Sequence, residues 1–139
     1  MNEAPVEHSK PERKVLRVFF LAAAIAWYAS ITVVSHIPGQ SLSNLHIWDK
    51  AAHFGEYMIL GILAGAWMMM ALAARRPWSL FLWGTALLAV LGILDELHQS
   101  TVPGRDVSAL DVLADTLGGM FGLMCAAVLV RRGGKKASQ

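Results

Sequence analysis

The chain has 139 residues, 55% of them hydrophobic and 16% charged, with a net charge of +2 at pH 7 and a mean hydropathy of +0.48. A soluble globular domain carries about 25% charged and about 45–50% apolar residues. This composition therefore excludes an ordinary soluble domain, a disordered tail and a nucleic-acid-binding module, and the length allows one domain.

The single cysteine, Cys125, lies in an apolar run. A disulfide framework or a cysteine-based zinc site within one chain is thereby excluded, and no cofactor is implied. A membrane-crossing helix takes roughly 17–25 mostly apolar residues, and four stretches qualify, at 15–34, 54–74, 78–94 and 112–130. The links between them are 35–53, 75–77 and 95–111. Arg17, near the start of the first span, can snorkel to the interface. That apolar core is longer than the 7–15 residues of a signal peptide and no clear A-x-A cleavage site precedes Ser35, so it reads as a retained span. Pro77 suits the first turn of the third helix, where its missing N–H costs nothing. The expected fold is all-α, an integral membrane four-helix bundle over 11–132. The polar tails, 1–10 and 133–139, are expected to be disordered.

Ten of the twelve lysines and arginines fall on one side of this topology: Lys10, Arg13, Lys14, Arg17, Arg75, Arg76, Arg131, Arg132, Lys135 and Lys136. Only Lys50 and Arg105 fall on the other. The positive-inside rule places both termini in the cytoplasm. Apart from Glu3, Glu7 and Glu12, the acids Asp49, Glu56, Asp95, Glu96, Asp106, Asp111 and Asp115 then sit at the outer side, with His36, His46, His53, His98, Gln99 and Arg105.

Asp49, His53 and Glu56 are spaced as one stripe of a helix, and Asp95 with Gln99 and Asp111 with Asp115 are each one turn apart. An Asp at a helix centre costs about 2.5–3.5 kcal/mol on insertion scales. These stripes are expected to face one another and form an outward-opening polar pocket. Plainer roles compete. Ser108 and Asp111 fit a capping box, and Asp49 fits a helix N-cap. Glu56 and Asp115 lie too deep to cap, and intramembrane acids are functional by default. Asp95 and Glu96 sit at the negative end of the third helix dipole, so a cation is expected beside them, with Arg105 and His98 the nearby choices. A scattered metal site using these acids with His53 or His98 is the alternative; no H-E-x-x-H run exists, and no metal is expected. Arg105 offers a planar fork for phosphate or carboxylate. Gly61 with Gly65, and Gly118 with Gly122, are small-residue rows that let helices approach closely.

Segment 38–45 resembles segment 103–110, and each precedes an acid with a second polar residue one turn on. This reads either as two parallel helix–loop–helix halves with a site between them or as a common Pro-Gly turn ahead of a helix.

These residues resemble the VanZ-like family of small bacterial membrane proteins. The resemblance is carried by Ser35-His36-Ile37-Pro38-Gly39 and by Asp49-Lys50-Ala51-Ala52-His53-Phe54-Gly55-Glu56-Tyr57. It continues in Asp95-Glu96-Leu97-His98-Gln99, in Pro103-Gly104-Arg105-Asp106, and in Asp111 and Asp115. Asp115 departs from the pattern, since the family often has Asn there. The resemblance adds Tyr57 to the candidate ligand-binding set of Asp49, His53, Glu56, Asp95, Glu96, Gln99, Arg105, Asp111 and Asp115. It implies a multi-pass protein of the bacterial inner membrane, linked to the cell envelope and to resistance to teicoplanin-type glycopeptides.

Three functions compete. In the first, the outer face binds a lipid-linked or envelope ligand, with an anionic or polyprenyl-linked head group held by Arg105 and the acids. In the second, the chain is an intramembrane hydrolase or transferase, with His53 and Glu56 or Asp95 as the acid–base pair and Glu96 as a further candidate. In the third, an oligomer acts as a proton-coupled carrier. The lipid bilayer is the expected partner in all three, and nucleic acid in none.

Overall fold

The computed structural model describes residues 10–36 and 46–136, with side chains over 11–36 and 49–131. Segment 38–45, which resembles 103–110, lies outside the described residues, as do positions 1–9 and 137–139 of the two tails. The described residues form four helices and no strand: α1 Lys10–Ser35, α2 His46–Ala71, α3 Pro77–Gln99 and α4 Ala109–Lys136. All four are long and apolar enough to cross a membrane.

The helices differ from the apolar spans at their ends. α2 starts at His46, so Asp49 and His53 lie on regular helix. It stops at Ala71, leaving a five-residue link, 72–76, where three residues are expected. Arg76 is extended (φ −63, ψ 133) and Pro77 occupies the first turn of α3 as expected. α4 continues to Lys136, past the expected start of the C-terminal tail and through Gly133 and Gly134.

Apolar side chains are turned outward on the helices, and the inward faces hold the buried polar residues, the glycines and a few large apolar side chains. On α4 the exposed positions include Leu110, Leu113, Leu117, Phe121, Met124 and Val128, while Asp111, Asp115, Leu123 and Ala126 are buried. On α3 the outer stripe is Trp83, Leu87, Val90, Leu94 and Leu97, and the buried stripe is Leu80, Gly84, Leu88, Gly92, Asp95, Glu96 and Gln99. Such apolar stripes suit contact with lipid tails, and the polar groups then go to the protein interior.

α2 and α4 form the closest helix pair, with α3 against α4 and α1 against α2. Glycine makes the α2–α4 contact possible. A Cβ on Gly118 would strike the Phe54 carbonyl, one on Gly122 the Met58 carbonyl, and one on Gly61 the Gly119 carbonyl. The packing role expected of the small-residue rows is thus what holds the bundle centre together. Ile31, Tyr57, Leu60, Leu88 and Leu123 form the apolar core beside it, with Trp27 and Tyr28 packed against them.

α1 is tied to α2 by the Trp27 Nε1–H, which donates to the Glu56 carbonyl at 2.9 Å. Trp27→Phe keeps most of the ring packing and loses this bond. It is expected to lower stability by about 0.5–1.5 kcal/mol, read as a lower melting temperature in detergent with ligand binding unchanged.

Candidate functional site

Ser35 at the end of α1, the start of α2, the end of α3 and the start of α4 meet at one end of the bundle, opposite the α2–α3 hairpin. Polar contacts join them. Ser35 Oγ donates to Asp95 Oδ2 at 2.9 Å. Gln99, one turn after Asp95, donates from Nε2 to the same oxygen at 3.0 Å and to Ser35 Oγ at 3.1 Å. His53 Nδ1 meets Asp115 Oδ1 at 3.0 Å, pairing α2 with α4. Lys50 Nζ donates to Asp111 Oδ1, one turn nearer the surface on the same two helices.

Glu96 joins the end of α3 to the turn before α4. Its Oε2 accepts the Ser108 backbone N–H at 2.7 Å. The Asp111 N–H donates to Ser108 Oγ at 3.3 Å, so Ser108 caps α4 as expected. The reciprocal half of the capping box is supplied differently: Asp111 turns to Lys50, and Glu96 from α3 takes the Ser108 N–H. Asp49 does not act as an N-cap, because α2 begins a turn earlier and Asp49 lies within its first turn.

Neither Arg105 nor His98, the cations expected beside Asp95 and Glu96, pairs with them. Arg105 reaches Asp49 at 3.6 Å, and His98 pairs with His36, Nε2 to Nδ1 at 3.2 Å. The physical reason lies in neutral donors, from Ser35, Gln99 and the Ser108 backbone, which satisfy one oxygen of each acid. Gly104 (φ 78) turns the chain just before Arg105. That left-handed conformation is open to glycine at no steric cost, and it leads into a half-buried Arg105.

The environment of these groups is dry. Asp115 is fully buried, Glu96 is 1% exposed and Asp95 2%. Several polar atoms here are shielded from solvent without a hydrogen-bond partner among the described residues: Tyr57 OH, Asp95 Oδ1, Glu96 Oε1, Asp115 Oδ2 and Arg105 Nε. Asp49, His53 and Asp111 each bring a donor atom within 4.8 Å of the others. These three could ligate a metal; Asp95 and Glu96, the acids of the sequence-based alternative, are not in that group. Lys50 and Arg105 already stand against its two carboxylates.

A family model described as VanZ/LLP1 matches residues 5–130, nearly the whole chain. The chain belongs to the VanZ/LLP1 family. No curated protein and no solved structure shows significant similarity to it. It is a membrane protein, all-helical over the described residues.

Within this VanZ/LLP1 bundle most of the sequence-derived candidates converge. Asp49, His53, Asp95, Glu96, Gln99, Arg105, Asp111 and Asp115 take part in the contacts above, and Tyr57 is fully buried below them. Glu56 is half-buried, and its carboxylate has no hydrogen bond among the described residues. Glu56 or Asp95 is the acid–base partner expected for His53, whereas the residue it meets is Asp115. Ser35 and Lys50 were not among the candidates. Both stand in the family blocks Ser35-His36-Ile37-Pro38-Gly39 and Asp49-Lys50, which was the available signal.

Proposed function

We propose that the chain acts at the outer face of the bacterial cytoplasmic membrane, with both termini inside. There the polar end of the bundle receives the head group of a lipid-linked or envelope ligand. The observation that carries this reading is the set of buried, unpartnered polar atoms at that end. A buried polar atom left without a partner costs about 1–3 kcal/mol, and several in one place make sense as contacts kept for a ligand. Three carboxylate oxygens accept, the Tyr57 hydroxyl donates or accepts, and Arg105 Nε–H donates. That pattern favours a head group rich in hydroxyl or amide donors, with one phosphate or carboxylate for Arg105. Orientation rests on Arg13, Arg17, Arg75, Arg76 and Arg131 at the hairpin end, against Lys50 and Arg105 at the polar end. Binding of such a ligand would link the chain to tolerance of teicoplanin-type glycopeptides.

Native mass spectrometry of the solubilised protein with a polyprenyl-linked saccharide tests the proposal. Asp95→Asn and Arg105→Ala each remove a charged hydrogen-bonding group, and about a tenfold or greater loss of bound ligand is expected. Unchanged occupancy in both variants would overturn it. The same two variants should abolish any shift in teicoplanin sensitivity that the wild type confers.

A second reading has its own support. His53, oriented through Nδ1 by a buried carboxylate, is arranged as a general acid–base group is. On that reading the bound head group is also hydrolysed or transferred, and His53→Gln should abolish turnover while leaving binding within a few-fold.

A further inference from the structure

The hairpin end of the bundle holds a groove of about 620 Å³, lined by none of the residues of the polar site. That volume lies within the roughly 300–1,000 Å³ of ligand pockets. Its walls are almost wholly apolar: Met69 from α2, Trp78 and Phe81 from α3, and Leu123, Met124 and Ala127 from α4. Trp78 stacks on Phe81 at 5.8 Å between ring centroids. Arg75 and Arg131 line the same groove. Both are exposed, neither forms an ion pair among the described residues, and no acid lines the groove.

We propose that this groove binds one anionic phospholipid of the adjacent leaflet, its phosphate between Arg75 and Arg131 and an acyl chain along Phe81, Leu123 and Ala127. An apolar recess facing hydrocarbon loses dispersion contacts if left empty, and a lipid tail is what surrounds it. Trp78 is 69% exposed at the start of α3, where a tryptophan marks the head-group level. The arginines beside it therefore stand at phosphate height. Arg presents a fork matched to phosphate oxygens. Two uncompensated guanidinium groups favour a head group with net negative charge and disfavour one whose own ammonium offsets the phosphate. Basic recesses between transmembrane helices recognise anionic head groups in this way.

The test uses the full chain in detergent, titrated with phosphatidylglycerol or phosphatidylcholine and read by native mass spectrometry. The wild type is expected to retain a single phosphatidylglycerol in preference to phosphatidylcholine. The double variant Arg75→Gln/Arg131→Gln is expected to lose about fivefold in occupancy per arginine, from about 1 kcal/mol for each basic residue. Ala127→Trp fills the groove without altering charge and should expel the lipid as well. Arg76→Gln removes an equal charge from the same link but outside the groove lining, and should change occupancy less than twofold.

Equal retention of both lipids would overturn the proposal, as would equal loss in Arg76→Gln and the double variant. So would variants that shift the mass from dimer to monomer with lipid retention unchanged, since the groove would then seat a second copy. Arg105→Ala and Asp95→Asn should leave this lipid bound, so the outcome is independent of the polar-end ligand.

Discussion

Gly122→Leu is expected to abolish native packing of α2 on α4, and Gly118→Leu to do the same. At both positions the obstacle to a side chain is backbone. A Cβ on Gly118 meets the Phe54 carbonyl, and one on Gly122 meets the Met58 carbonyl and, at 2.8 Å, the Ile62 nitrogen. A flexible side chain can swing aside, but a helix backbone moves only as a whole, so the two helices must separate. Overpacking a core with a methyl group costs about 1–3 kcal/mol, occasionally more. Ala at either site should reach the upper part of that range and Leu exceed it. Separation would also break the His53–Asp115 and Lys50–Asp111 links, which bridge the same two helices. Thermal unfolding in detergent, with retention on size exclusion, reads the effect. Gly55→Ala is the internal control, because nothing lies within 4 Å of a Cβ there. If Gly122→Leu melts with the wild type, the close approach of α2 and α4 is not what holds the bundle.

Asp115→Leu is the second large effect. It leaves His53 Nδ1 without its partner in a site where His53 is 4% exposed. An orphaned buried donor costs about 1–3 kcal/mol, and breaking a buried charged pair by removing one partner costs about 3–5 kcal/mol. The loss should therefore fall across those ranges, and His53→Leu should cost a similar amount. The double variant His53→Leu/Asp115→Leu removes both polar groups, and such replacements are often close to neutral. It is expected to recover most of the stability and none of the ligand binding. A double variant as unstable as the singles would mean that the pair is not the coupled unit seen between α2 and α4. One that binds ligand as well as the wild type would confine the pair to a structural role. Asp115→Asn keeps an oxygen acceptor for His53 and should be the mildest change at this position.

The four spans were legible because composition alone leaves few alternatives. Long apolar stretches interrupted by charge at regular distances have one physical solution in a bilayer. The site was legible for a related reason. Chemically capable residues are costly within a span, so those that remain stand out, and helical spacing put Asp49 with His53 and Asp111 with Asp115 on shared faces. Partner choice was not legible. Asp115 rather than Glu56 meets His53, and neutral donors rather than Arg105 satisfy Asp95, because those pairings depend on the rotation and depth at which helices dock. Ser35 shows the difference most clearly. As a serine at the end of an apolar helix it carries no signal of its own, and it matters because docking of α1 places its hydroxyl 2.9 Å from Asp95.

The sequence by itself determined the helix count, the separation of polar from cationic ends and the small-residue rows, since each follows from the cost of burying charge or backbone in lipid. The tertiary structure alone decided which carboxylate faces which donor, which polar atoms are left for a ligand, and where an apolar groove opens beside Arg75 and Arg131. Those depend on distances between residues far apart in the chain. They were set when the glycines of α2 and α4 allowed two backbones to come into contact and so fixed the register of everything attached to them.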